Sequence, residues 1–169
     1  PSTLNEGASP DISGLIGQYA HGNEPSHHIV YLYAYVGQQW KTAEKVRFIL
    51  EHLYNDTPKG ICGNEDCGQM SAWYVLSSLG FYPVNPSNSA YVLGSPLHEE
   101  ATLHLPNGKS FTVKALHNGP GNLYIRSARL NGAPYEKSYI THRDVLNGGI
   151  LELEMGSTPN RDFGAAPAN

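Results

Sequence analysis

The chain has 169 residues, 40% of them hydrophobic and 15% charged, with a formal charge of −4. This composition excludes a disordered segment, which is poorer in apolar and richer in charged residues, and one modest globular domain is the default. With 11 Lys and Arg against 15 Asp and Glu, and no basic run, there is no electrostatic footprint for nucleic acid or an anionic membrane, and neither is expected as a partner.

No apolar stretch approaches the roughly 20 residues needed to cross a bilayer, and the opening Pro1 to Pro10 lacks a charged-then-apolar signal layout. An export signal, if there is one, lies upstream. Residues 1–20 are rich in Ser, Gly and Pro without a sustained period and read as a loop or the edge of a larger domain. From Pro25 a helical signal begins, with Ile29, Val30, Leu32, Tyr33, Ala34 and Val36 following until Gly37; it is apolar on nearly every side. A second helix places Trp40, Ala43, Val46, Ile49, Leu50 and Leu53 on one stripe, with Lys41, Glu44, Lys45, Arg47 and Glu51 on a face expected to be wet. A loop through Asn55, Asp56, Pro58 and Gly60 leads to a third helix, Gln69 to Leu79, closed by Gly80 and again buried in character. Cys62 and Cys67 stand in that loop, open to a local disulfide, a pair of buried thiols or half of a metal site.

After Phe81 the pattern alternates. Runs at Tyr91–Leu93, Thr102–Leu105, Phe111–Lys114, Leu123–Arg126 and Ile150–Glu154 read as half-buried strands. Asn107-Gly108 predicts a type I′ hairpin and Asn131-Gly132 a second turn. Thr141 with Asp144 resembles a capping box closed by Gly148, and the small, polar tail from Ser157 is expected to fray. The expected fold is thus α+β. Residues 1–82 would be the last, about three, helices of a double-layered helical barrel, 83–160 an antiparallel β region, and 161–169 a tail.

A buried, an amphipathic and another buried helix are what one and a half hairpins of such a barrel look like, since inner helices meet protein on all sides. Both inner helices would then run the same way, and the segments before their N-termini, His21 to His28 and Gly63 to Gln69, would meet at one end. Helix N-termini favour carboxylates, which places Glu24, Glu65 and Asp66 in a field suited to a hard cation or to proton transfer. His27 and His28 fall in a first turn and offer hydrogen bonds to sugar hydroxyls. Each feature also has a plainer account: Asn23, Glu24 and Ser26 as caps, Asn64 to Asp66 as a solvated turn, the histidines as structural, and Trp40, Trp73 and Tyr31 as core.

The string Gly17-Gln-Tyr-Ala-His-Gly-Asn-Glu-Pro-Ser-His-His28, then Gly63-Asn-Glu-Asp-Cys-Gly-Gln-Met-Ser-Ala-Trp-Tyr74 and Leu79-Gly-Phe-Tyr-Pro83, resembles the C-terminal part of the family 92 α-mannosidases. Tyr91 to Pro96 and Asn131-Gly132 are similar to that family as well. The resemblance implies a catalytic (α/α)6 barrel behind an N-terminal β-sandwich, and calcium-dependent, inverting removal of terminal α-mannose, α-1,2-linked above all, from high-mannose glycans. On the family pattern Asp66 is the expected general base, Glu65 its local rival and Asn64 an orienting, substrate-binding neighbour. Asn23 and Glu24 are expected in the calcium shell, while His27 and His28 would support the site or touch substrate, because imidazole is a poor calcium ligand. The general acid lies upstream of the matched motifs. Three helices cannot make a twelve-helix barrel, so the resemblance implies a fragment, inactive alone, that associates with the missing N-terminal part or with itself, in a bacterial periplasm or at a cell surface. The rival expectation is a carbohydrate-binding or accessory module without catalysis.

Overall fold

The structure, a computed structural model, describes residues 12–165. It opens with a hairpin of β1 (Leu15–Ile16) and β2 (Tyr19–Ala20), paired Leu15 to Ala20 and Ile16 to Tyr19. Part of the stretch expected to be a loop is therefore ordered strand; residues 1–11 lie outside the described residues. Gly17, at φ 62°, makes the turn there.

The first expected helix is broken. It consists of two 3-10 turns, Glu24–Ser26 and Ile29–Tyr31, and one α-turn, α1 (Leu32–Tyr35). Ile, Val and Tyr propagate a helix weakly, and Pro25 supplies no N–H. The carbonyl of His27 is moreover taken by the Trp73 indole at 3.1 Å, while the Tyr31 N–H bonds His28 O instead. Tertiary contacts override the α ladder here. Then α2 (Gln39–His52) buries Ala43, Val46, Ile49 and Leu50 as its stripe requires. Its other face is not simply wet. Arg47 is buried, donating to Pro96 O and to Asn118 Oδ1 at 2.7 Å, and Glu44 accepts from the Tyr124 hydroxyl at 2.6 Å. The β region covers these polar groups, which the helical period alone does not reveal. The third helix, α3 (Gln69–Leu79), has the expected bounds and ends at Gly80, φ 104°.

Ten strands in all are found among the described residues. β3 (Phe81–Tyr82), β4 (Ala90–Leu93) and β9 (Tyr139–Thr141) form a three-stranded antiparallel sheet in that order. β5 (Glu100–His104), β6 (Ser110–Leu116), β7 (Tyr124–Leu130), β8 (Ala133–Tyr135) and β10 (Gly149–Gly156) form a five-stranded sheet ordered β5-β6-β10-β7-β8. That sheet departs from the antiparallel expectation at one pair: β10 runs parallel to β6, with Leu151 opposite Val113. The crossover between them includes α4 (His142–Asn147), which starts on the expected capping box, Asp144 N–H to Thr141 Oγ1 at 3.2 Å and Thr141 N–H to Asp144 Oδ2 at 2.8 Å.

The Asn107-Gly108 hairpin forms, but not with the expected turn. Gly108 alone of the pair has positive φ, and its N–H bonds Leu105 O, so Pro106 and Asn107 occupy the turn centre. Proline pre-sets the first central residue, which selects this longer loop. At Asn131-Gly132 both residues have positive φ, 52° and 81°, as a two-residue hairpin demands. The tail is packed as far as it is described: Arg126 donates to Thr158 O at 2.9 Å, and Phe163 is buried against the β core. Residues 166–169 lie outside the described residues.

Among the described residues, two apolar clusters hold the fold together. One, from Phe81 and Leu93 through Phe111, Ile125, Leu151 and Leu153, belongs to the sheets. The other gathers Tyr31, Ala34, Val46, Ile49 and Trp73 with Val92 of β4, and joins the helices to the β region. The chain is α+β. No helix among the described residues is long and apolar enough to cross a membrane.

Candidate active site

Side-chain pairs fix the relative course of the helical segments. Trp73 bonds His27 O, and four residues on along both segments Tyr31 donates to Ser77 Oγ at 2.8 Å. A constant offset of 46 residues means the segment from Glu24 to α1 runs parallel to α3. Between them α2 runs back, since His21 meets Tyr54 while Tyr31 O meets Thr42. The N-termini of both parallel segments therefore open at one end.

There the two preceding loops touch. A Cβ on Gly63, at φ 93°, would stand 2.6 Å from Gly22 O and 2.8 Å from Gly22 Cα. Only glycine permits this approach. From this contact the chain runs on to Asn23 and Glu24 on one side and to Asn64, Glu65 and Asp66 on the other.

Beneath the loops lies a buried histidine pair, its rings stacked with centroids 4.7 Å apart. The Tyr54 hydroxyl donates to Met70 O, so it accepts from His21 Nε2–H at 2.7 Å; His21 Nδ1 then accepts from the Tyr19 hydroxyl, also at 2.7 Å. His27 Nε2–H donates to His21 O at 3.0 Å, which leaves Nδ1 to accept from Gln69 Nε2 at 3.1 Å. Both rings are thus neutral in one tautomer each. Burial, and then the neighbouring His27, push the His21 imidazole down to about 3, and burial likewise lowers His27. The same burial raises the phenols of Tyr19, Tyr31 and Tyr54 well above their ordinary range.

His27, with both ring nitrogens occupied inside the protein and 1% of its surface exposed, supports the loops and has nothing to offer a sugar. Of the two roles expected for it, supporting the site or touching substrate, this burial favours the first. His28 is exposed beside it. Tyr31 and Trp73 are wholly buried and serve as core. Trp40 stands half-buried with Lys41 and Arg161 over its ring at 5.2 and 5.3 Å, away from the loops. Tyr19, Tyr54 and Gln69 are hydrogen-bond partners of the histidine pair that sequence reasoning missed. Gln69 lay in the quoted motif, but the partner of an amide is set by tertiary structure.

The carboxylates differ. Glu65 accepts the Ser71 N–H at 2.9 Å on one oxygen and the Ser71 hydroxyl at 2.8 Å on the other, so it caps the first turn of α3. Asp66 is exposed, on left-handed backbone at φ 42°, followed by Cys67 at φ 57° and Gly68 at φ 89°. Left-handed conformation costs a non-glycine residue about 1 kcal/mol or more. Asn23 begins the first 3-10 turn with extended backbone, yet its side chain caps nothing. Oxygen Oε1 of Glu24 is buried without a hydrogen-bond partner. Such an orphaned carboxylate oxygen suits a hard cation, and Asn23 beside it in sequence offers an amide oxygen of the kind such ions take. No group of three or more His, Cys, Asp and Glu side chains that could hold a metal occurs among the described residues, so these two residues would supply only part of a shell. Cys62 and Cys67 are free thiols; burial raises Cys62, and Cys67 is exposed.

Comparison with known proteins bears on this geometry. A family model described as the glycosyl hydrolase family 92 catalytic domain matches residues 2–157. A protein of Arthroderma benhamiae described as an uncharacterized secreted glycosidase is 36% identical over 138 residues, 80% of this chain and 18% of its own length. Among solved structures, a family GH92 α-mannosidase from Bacteroides thetaiotaomicron in complex with mannoimidazole is 44% identical, with a TM-score of 0.89 over 92% of this chain and 20% of that one. A family GH92 inverting mannosidase from Bacteroides thetaiotaomicron VPI-5482 is 52% identical, with a TM-score of 0.84 over 89% and 20%. The chain thus spans about a fifth of these relatives' length. The match takes in both loops and both sheets, and on it the chain belongs to glycosyl hydrolase family 92.

Proposed function

We propose that this chain supplies one half of the active site of an exo-acting, inverting α-mannosidase, with Asp66 as general base and the remainder of the site contributed by chain beyond these residues. The observation that supports the reading is the Gly22–Gly63 contact, from which the Asn23-Glu24 and Asn64-Glu65-Asp66 segments both set out. Inversion uses two carboxyl groups on opposite faces of the sugar, one protonating the leaving oxygen and one activating water. Both acids are exposed, but Glu65 is held by Ser71 through both oxygens, which leaves Asp66 as the proposed acceptor of a proton from water.

Asn23 and Glu24 would hold part of a calcium ion's shell through their side-chain oxygens. Calcium, when bound, supplies charge that orients and polarises sugar hydroxyls. His28 is the proposed sugar-contacting imidazole and Asn64 an orienting neighbour. The general acid is assigned to no residue here, and the chain alone is proposed to be inactive. Its partner is the complementary part of the enzyme: Ile29, Leu32, Val36 and Val75 on the helices are 42%, 43%, 66% and 54% exposed, apolar surface that cover by further helices would remove from water. High-mannose glycans with terminal α-1,2-linked mannose are the proposed substrates and the periplasm or the cell exterior the proposed compartment; that the relatives are mannosidases and a secreted glycosidase supports a mannoside substrate and a place outside the cytoplasm.

The test is mannose release from an α-1,2-mannobioside by the chain alone, by the chain with its complementary segment, and by the latter with Asp66→Asn, reading the product anomer by NMR. Turnover with inversion only in the combined sample, lost on Asp66→Asn, is expected. Turnover by the chain alone, or sugar binding without turnover that ignores Asp66→Asn and needs no calcium, would refute the reading; the latter result is that of an accessory binding module.

A further inference from the structure

Gln69 stands at the first position of α3 and bonds in two directions. Its backbone N–H donates to Asp66 O at 3.2 Å, and its side-chain Nε2 donates to His27 Nδ1 at 3.1 Å. The His27 backbone N–H donates in turn to Glu24 O at 3.0 Å. Two residues therefore link the main chain of Asp66 to the main chain of Glu24. The second hydrogen of the Gln69 amide goes to the Tyr82 hydroxyl at 2.9 Å, so the amide plane has no freedom left. Tyr82 is itself stacked on Tyr31, ring centroids 5.3 Å apart, and the far nitrogen of His27 is anchored on His21 O. The polarity is fixed throughout: amide to imidazole to carbonyl. Among packed aromatic rings a water does not readily replace such a donor.

We infer that Gln69 is a positioning residue that sets the spacing between the Glu24 segment and Asp66, acting through His27 and touching neither sugar nor cation. The inference rests on the functional reading above, because the spacing matters only if both segments serve one site. A displacement of about 1 Å costs an enzyme on the order of a hundredfold in turnover, since the reacting groups leave their near-attack arrangement. Gln69→Met keeps the length and bulk of the side chain and removes both donated hydrogen bonds. Tyr82→Phe is the milder variant, leaving the ring stack and releasing only the amide's second anchor.

The experiment measures kcat, KM and the calcium concentration for half-maximal activity in the assembled enzyme, with calcium binding also followed by calorimetry and melting temperature recorded. For Gln69→Met the expected result is kcat lower by about ten- to a hundredfold, KM within about threefold, and weaker calcium binding by calorimetry. Tyr82→Phe is expected to lie between this variant and the parent; if Gln69→Met does not fold, Tyr82→Phe carries the test with the same signs. Parent-like kcat and calcium binding in the variants would overturn the inference, as would a loss that only follows the folded fraction and disappears on cooling. A parent enzyme that neither cleaves mannosides nor binds calcium would sink the functional reading, and this inference with it.

Discussion

At the scale of single residues, the two neighbouring acids of the second loop have different partners, and mutation separates the roles proposed for them. Glu65→Gln replaces a charged cap on Ser71 and is expected to cost about 1 kcal/mol of stability, read as a shift in the denaturation midpoint, with a smaller effect on turnover. Asp66→Asn removes the proposed base, and a loss of roughly 10²- to 10⁴-fold in kcat is expected with stability unchanged. A reversed pattern would make Glu65 the base. The buried His21 gives a pH signature. Its folded value of about 3 lies below the ordinary 6.5, so between those values the unfolded chain binds a proton that the folded chain does not. Stability is then full above pH 6.5 and falls as pH drops through that window, by about 1.4 kcal/mol per pH unit for one such group. Melting temperatures between pH 4 and 8 check this; a flat profile in that range, matched by His21→Gln, would contradict it. Which acid caps and which stays free was not legible in Asn64-Glu65-Asp66, because the answer depends on the left-handed backbone at 66 and 67 and on where Ser71 comes round.

At the scale of elements, the sequence placed helices and strands well where period and punctuation agreed. α3 has its expected bounds because Gly68 and Gly80 frame an apolar run, and α4 follows from Thr141, Asp144 and Gly148. Thr141→Val keeps shape and removes the cap, with an expected cost of about 1 kcal/mol; no change in stability would mean that the box contributes nothing. Where the reading failed, a long-range partner decided the outcome. The segment from Pro25 to Gly37 has helical spacing but gives its His27 carbonyl to Trp73, and the wet face of α2 is covered because Arg47 and Glu44 reach Pro96, Asn118 and Tyr124 in the β region. The parallel pairing of β10 with β6 was equally out of reach, since strand direction leaves no mark on alternation.

At the scale of the whole molecule, the two parallel helical segments open on one end, and their preceding loops are held together by Gly63 on Gly22 and by the buried histidine pair. Family likeness named those loops; their meeting is a property of the fold. A site shared by both loops behaves as a unit, and residues of one catalytic unit fail together, not independently. The most direct measurement is the kcat/KM of the assembled enzyme on an α-mannoside for Glu24→Gln, Asp66→Asn and the double variant. A double variant no slower than the slower single is the result expected of one site, whereas two losses that multiply in full would contradict it.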